Sequence, residues 1–242
     1  SFSGHRGLGV WSSECSFEES GAGASGRPNI EVLPRSIDLG IIKLETGALF
    51  GNSGLSPKTV SQLEALEGVA AVYPKLEVKL PLGARGGARF FGKSLYTDLF
   101  MTGVSPDLLA SHVPRGFADA PEIVPVVISD QLIEVYNGSV APAIGTPKIT
   151  NDTLVGFEFE ITIGRSLMIG QRGARRKGAE SARIVGVSPF AMKLGATVPI
   201  ETARRLMSSY GQGGEETYSS IVVKASEPAQ VPAIVEQIEG LG

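Results

Sequence analysis

From Asn29 onward, apolar residues recur with two alternating periods, and the pattern predicts strands and helices interleaved along the chain. Ile30-Glu31-Val32-Leu33 alternates like a half-buried strand. Residues 39–44 give a second apolar run after the 34–38 turn, so the pair predicts a hairpin. Ser56-Pro57-Lys58-Thr59 offers a hydroxyl to the orphan amides and a proline to the first turn, which starts a helix. Val60, Leu63 and Leu66 then share a face, and Gly68 provides the left-handed stop.

Further strands are expected at residues 69–73, 76–80, 99–104, 123–128, 157–163, 167–169 and 182–187. The clearest is Phe157-Glu158-Phe159-Glu160-Ile161-Thr162-Ile163, whose alternation buries one face and leaves Glu158 and Glu160 on the wet one. A short helix at 130–136 is capped by Ser129 and closed by Asn137-Gly138. Residues 170–182 are polar and glycine-spaced, the signature of an exposed hairpin tip. Ile200, Ala203, Leu206 and Tyr210 predict a helix ending before Gly211, and residues 219–224 a strand. In the last helix Val231, Ile234, Ile238 and Leu241 share a face, with Pro232 placing its start near Val231. Two short echoes accompany these elements: Gly103-Val104-Ser105-Pro106 with Gly186-Val187-Ser188-Pro189, and Leu66-Glu67-Gly68-Val69 with Ile238-Glu239-Gly240-Leu241.

Apolar residues make up 42% of the 242 and charged residues 19%, a balance that supports a packed core rather than a solvated tail. The net charge of −3 provides no basic excess, so nucleic acid is not an expected partner. No run approaches the ~20 apolar residues of a membrane span. The opening Ser1-Phe2-Ser3-Gly4-His5-Arg6 lacks an initiator Met and a secretory pattern, which suggests a chain cut from something longer. Residues 1–28 end in a small, glycine-rich stretch expected to be a mobile segment.

Candidate chemistry is sparse. A single cysteine, Cys15, precludes an internal disulfide, and His5 and His112 have no metal-ligand spacing. No Gly-x-Ser-x-Gly elbow occurs, and the glycine-rich residues 83–89 lack the Gly-Lys-Ser/Thr of a phosphate loop and predict a turn. Asn137-Gly138-Ser139 and Asn151-Asp152-Thr153 are expected to be turns. No catalytic, cofactor-binding or metal-binding residue is therefore expected, and the chain is expected not to be an enzyme. The feature that stands out is the basic cluster Arg172, Arg175, Arg176 and Lys177, four cations on an exposed tip suited to an acidic partner or anionic lipid headgroups.

Three segments form an ordered pattern: Leu55-Ser56-Pro57-Lys58-Thr59-Val60 through Leu66-Glu67-Gly68-Val69-Ala70-Ala71-Val72-Tyr73-Pro74; Phe100-Met101-Thr102-Gly103-Val104-Ser105-Pro106; and Arg183-Ile184-Val185-Gly186-Val187 through Val198-Pro199-Ile200-Glu201-Thr202-Ala203-Arg204-Arg205-Leu206. Taken in this order they resemble the MacB-like periplasmic core domain of FtsX/LolC/MacB-type ABC transporter permeases. Ile221-Val222-Val223-Lys224 and the final helix complete the order, and residues 142–154 depart from the pattern. The resemblance implies a mixed, strand-rich α+β fold in two lobes: a terminal α/β lobe from 29–75 plus 216–242, and an inserted strand-rich lobe from 76–215. It implies a periplasmic domain of a bacterial inner-membrane permease, lying between two membrane helices and transmitting motion. The implied partners are a cytoplasmic ABC ATPase, a second permease subunit, and a periplasmic protein or lipoprotein cargo. The competing expectations are a freestanding secreted binding module and, behind it, a hydrolase.

Overall fold

The computed structural model describes residues 30–32, 41–45, 55–88, 92, 94–113, 115–167, 174–213, 216 and 218–241. The expectations for residues 1–28, His5, Cys15, the 34–38 turn and Arg172 lie outside them.

The Ser56 start behaves as its chemistry dictates. Helix α1 spans Pro57–Glu64; the Ser56 hydroxyl accepts the Thr59 N–H, and Thr59 Oγ1 accepts the Ser56 N–H. Gly68 follows at φ +86°, in the left-handed region that a side chain resists. The chain then enters the strand that the alternation at 69–73 predicts, but it runs on as Val69–Glu77 (β3) instead of breaking into a second strand at 76–80. Pro74 is tolerated because the ladder on the far side of β3 begins only two residues later, at Leu76.

The remaining strands are β1 (Ile30–Val32), β2 (Ile41–Glu45), β4 (Leu82–Gly86), β5 (Leu95–Leu99), β6 (Met101–Val104), β7 (Val124–Ile128), β8 (Glu158–Ile163), β9 (Gly178–Val187), β10 (Ala196–Pro199) and β11 (Tyr218–Ala225). Among the described residues the eleven form one mixed sheet in the order β1-β2-β11-β3-β6-β10-β7-β9-β8-β4-β5. β1 and β2 pair antiparallel, as the hairpin pattern predicts. The strand expected at 99–104 is two, because the chain turns at Phe100, whose carbonyl accepts the Ala196 N–H at 2.9 Å. Of residues 83–89, expected to form a turn, 83–86 lie in β4 and 89 lies outside the described residues. The glycines of β4 serve close approach, since a Cβ on Gly86 would stand 2.9 Å from the Phe159 Cβ. Strand β10 and the short helix α2 (Pro106–Leu109) carry too few residues for a pattern to show. Leu167, expected in a strand, sits in a turn and is 81% exposed; the rest of that expected strand lies outside the described residues.

Helix α3 (Asp130–Val135) starts where Ser129 predicts, the Ser129 hydroxyl accepting the Leu132 N–H at 3.0 Å. It does not close at Asn137-Gly138. The chain continues through a π turn, Tyr136–Val140, into α4 (Ala141–Ile144), and the stop is Gly145 at φ +66°. Asn137 is diverted from capping because its amide bonds both backbone groups of Ile149, each at 2.8 Å. Residues 142–154, without a place in the sequence pattern, build this layer and end in α5 (Asn151–Leu154), where Thr150 and Thr153 form a capping box. Asn151 is thus helical rather than in a turn.

Helix α6 (Ile200–Tyr210) buries Ile200, Ala203, Leu206 and Tyr210, the face its spacing predicts, and packs on β6, β10 and β3. Helix α7 (Val231–Glu239) buries Ile234 and Ile238. The larger core, including Leu63, Leu76, Ile161 and Leu206, lies on the sheet face under these helices; a smaller one, including Val104, Leu109, Phe117 and Val127, lies on the other.

Candidate functional site

Pairing register decides what each face of the β5-β4-β8 end of the sheet presents. Leu82, Ala84 and Gly86 of β4 lie opposite Ile163, Ile161 and Phe159 of β8, and opposite Leu99, Thr97 and Leu95 of β5. Because side chains alternate, all of these share one face, an apolar floor. The opposite face carries Arg85 across from Glu160, and Glu158 paired with Arg183, so the two glutamates sit on the wet side as expected.

Over the apolar floor stands the α3–α5 layer, and the two enclose a cleft of about 480 Å³. Leu132, Val135, Tyr136, Val140 and Leu154 form its wall against Leu99, Phe157 and Phe159. The wall is held by the Asn137–Ile149 bonds and by Tyr136 Oη, 2.7 Å from Thr146 Oγ1. Phe100 (43% exposed), Val135 (41%), Val140 (40%) and Leu194 (57%) line the opening, an unusual collection of wet apolar side chains for one rim. The sequence predicts α3, the first helix of the wall, but no pattern announces the cleft, because residues 142–154, which complete the wall, follow no clear periodicity.

The basic cluster is placed differently from a free tip. Residues 164–177 connect β8 to β9, as a hairpin should, and Arg175, Arg176 and Lys177 are exposed. The Arg175 N–H donates to the Tyr210 carbonyl at 2.7 Å, and the Arg176 guanidinium lies 4.9 Å from the Tyr210 ring centre. Arg175 and Arg176 therefore contact the end of α6. Tyr210 in turn donates to Glu180 Oε1 at 2.7 Å, and this bond, ahead of burial, raises its phenol pKa. Further along α6, Arg205 and Thr202 both bond Asp119 Oδ1. Arg204 grips Glu216 through two nitrogens and Glu201 through a third.

These contacts tie α6 to strand β9 and to the loops at Asp119 and Glu216, and among the described residues they bring no nucleophile to a base. His112 is exposed, its ring edge-on to Phe190 at 5.4 Å. Among the described residues no group of His, Cys, Asp and Glu could hold a metal, and no helix is long and apolar enough to cross a membrane.

The Arg204–Glu216 pair has a pH signature. Hydrogen bonds from Arg204 hold the Glu216 carboxyl below the usual carboxylate range, outweighing the upward push of burial. A carboxyl with a lower pKa folded than unfolded stabilises fully above its unfolded value, and that contribution is lost as pH falls through the folded one. Glu216→Gln should therefore lower the urea midpoint at neutral pH, with the two chains converging in acid. A constant difference at every pH would remove Glu216 from the account.

A family model described as probable transporter periplasmic core domain matches residues 41–239. No curated protein sequence matches the chain. Among solved structures, the extracellular domain of the noncanonic ABC-type transporter YknZ from Gram-positive bacteria is similar at 16% identity and TM-score 0.40, covering 76% of this chain and 80% of that one. The periplasmic region of MacB from Actinobacillus actinomycetemcomitans is similar at 14% identity and TM-score 0.44, covering 83% of each.

Proposed function

The chain belongs to the family of probable transporter periplasmic core domains, and from this we propose that it is the periplasmic, non-catalytic domain of an ABC-type permease. It couples movement of membrane helices, driven by a separate cytoplasmic ATPase, to the handling of a partner or cargo in the periplasm. The family match over residues 41–239 is the observation that carries the reading.

The two-part division read from the sequence belongs to this proposal, and the strand order supports it. β1, β2, β11 and β3 come from the two ends of the chain, and the other seven strands from its middle. The two sets meet at a ladder of two residue pairs, Leu76 with Gly103 and Glu77 with Thr102, crossed by α6. Motion entering at the chain ends would reach the middle through this seam. The basic cluster, of which Arg175 and Arg176 contact the far end of α6, is the proposed contact for an acidic partner or anionic headgroups.

The test uses the whole permease with its ATPase. Replacing Arg172, Arg175, Arg176 and Lys177 by Ser should abolish partner-stimulated ATP hydrolysis and leave basal hydrolysis unchanged. The variant should lose no more than about 1 kcal/mol of stability, the order of one exposed cation–π contact. Unchanged stimulation would overturn the role of the cluster; a native protein that copurifies with no ATPase, or specific ATP binding by this domain, would overturn the permease reading.

A further inference from the structure

The cleft between the β5-β4-β8 floor and the α3–α5 wall is an interior built without an occupant's polar partners. Its volume of about 480 Å³ lies within the roughly 300–1,000 Å³ of small-molecule sites. The polar side chains along it are already engaged. Tyr136 Oη meets Thr146, Thr153 Oγ1 donates to the Thr150 carbonyl, and Asp98 accepts the Leu167 N–H at 2.7 Å. Arg85, though its backbone borders the cleft, projects from the opposite face with Glu160.

A peptide laid deep in such a space would carry amides that need partners, and each left unpaired is costly. A hydrocarbon chain has no such need. The exposed side chains of Phe100, Val135, Val140 and Leu194 extend the apolar lining to the solvent, which suits a ligand that enters along its length. At the roughly 30 Å³ that one water molecule occupies in the liquid, the space holds on the order of a dozen methylenes. We infer that this cleft binds the hydrocarbon tail of a single-chain amphiphile. The inference rests on the cleft alone and stands whichever transporter carries the domain.

The experiment titrates the 242-residue chain with cis-parinaric acid, whose fluorescence rises on burial, and displaces it with octanoate, decanoate and dodecanoate. Saturable binding at one site per chain is expected, with competitor affinity rising about tenfold for each two methylenes added. Thr97 and Ala84 face into the cleft from the floor; Thr97→Phe and Ala84→Phe should each weaken binding at least tenfold. Ser181→Phe, which adds the same ring on the wet face, should bind as the parent chain does. Thr97→Phe, on an edge strand, decides the matter if Ala84→Phe does not fold. Binding that is non-saturable, insensitive to chain length, or unaffected by both fillings overturns the inference. So does a chain that sediments as a dimer, binds no probe, and becomes monomeric with Leu194→Arg, because the occupant would then be a second copy. Probe binding that appears only after removal of residues 1–28 would assign the cleft to the chain's own beginning, and likewise overturn it.

Discussion

Gly103→Leu should cost the fold at least about 3 kcal/mol, the upper range for overpacking a tight core, and leave an expanded chain with weakened near-UV dichroism. Gly103 sits in β6 between Leu76 of β3 and Val198 of β10. A Cβ at this position would lie 2.5 Å from the Ala203 Cβ and 3.1 Å from the Ile200 Cα, both on α6. The helix rests directly on the strand backbone, and any side chain at 103 must lift it. That displacement opens the cover of the seam as well as the local contact. Total stabilities of single domains run to roughly 5–15 kcal/mol, so the loss is a large part of the whole.

The mechanism can be separated from a general dislike of substitution in β6. Gly103→Ala alone should lose about 2 kcal/mol, and Ala203→Gly about 1 kcal/mol through helix propensity. The double variant removes the clashing methyl, so its loss should fall short of the sum by at least about 1 kcal/mol. Urea unfolding of the four chains measures the coupling, and strict additivity would refute the close approach.

The same glycine shows what the sequence could and could not disclose. Periodicity found α1, α6 and α7, the Ser129 cap found α3, and short apolar runs found β7, β8, β9 and β11. Gly103 was recognised only as part of an echo with Gly186. In the structure both glycines admit a neighbour, the helix at Gly103 and Val113 at Gly186. β4 was read as a turn for the same reason: its glycines mark contact with neighbouring strands, and nothing local distinguishes them from loop glycines. Asn137 was read as a stop, although its amide is spent on Ile149, twelve residues away. The cleft was illegible because its wall is assembled by such distant bonds, while its floor depends on register across three strands. The basic cluster was legible as charge, but the contacts of Arg175 and Arg176 with Tyr210 were not.

Leu206→Ala is the second large effect, and it tests how the sheet transmits force. Leu206 is fully buried on α6, so truncation should cost about 2–5 kcal/mol from lost transfer and a residual cavity. The cost should not be spread evenly. β4 joins β8 over five residue pairs and β8 joins β9 over six, whereas β3 joins β6 over two and depends on α6 above it. Regions held by few buried contacts open at lower free energy than the rest. Amide hydrogen exchange in Leu206→Ala should therefore lose protection first at Met101–Val104 and Ala196–Pro199, while Glu158–Ile163 stays close to the parent chain. That outcome makes β6 and β10, joined to β3 over two residue pairs and to β7 over one, the compliant element of a two-part body, able to flex as membrane helices move. If protection falls by the same factor in every strand, the sheet opens as one cooperative unit. The two-part division then fails, and any coupling must pass through the domain as a rigid lever.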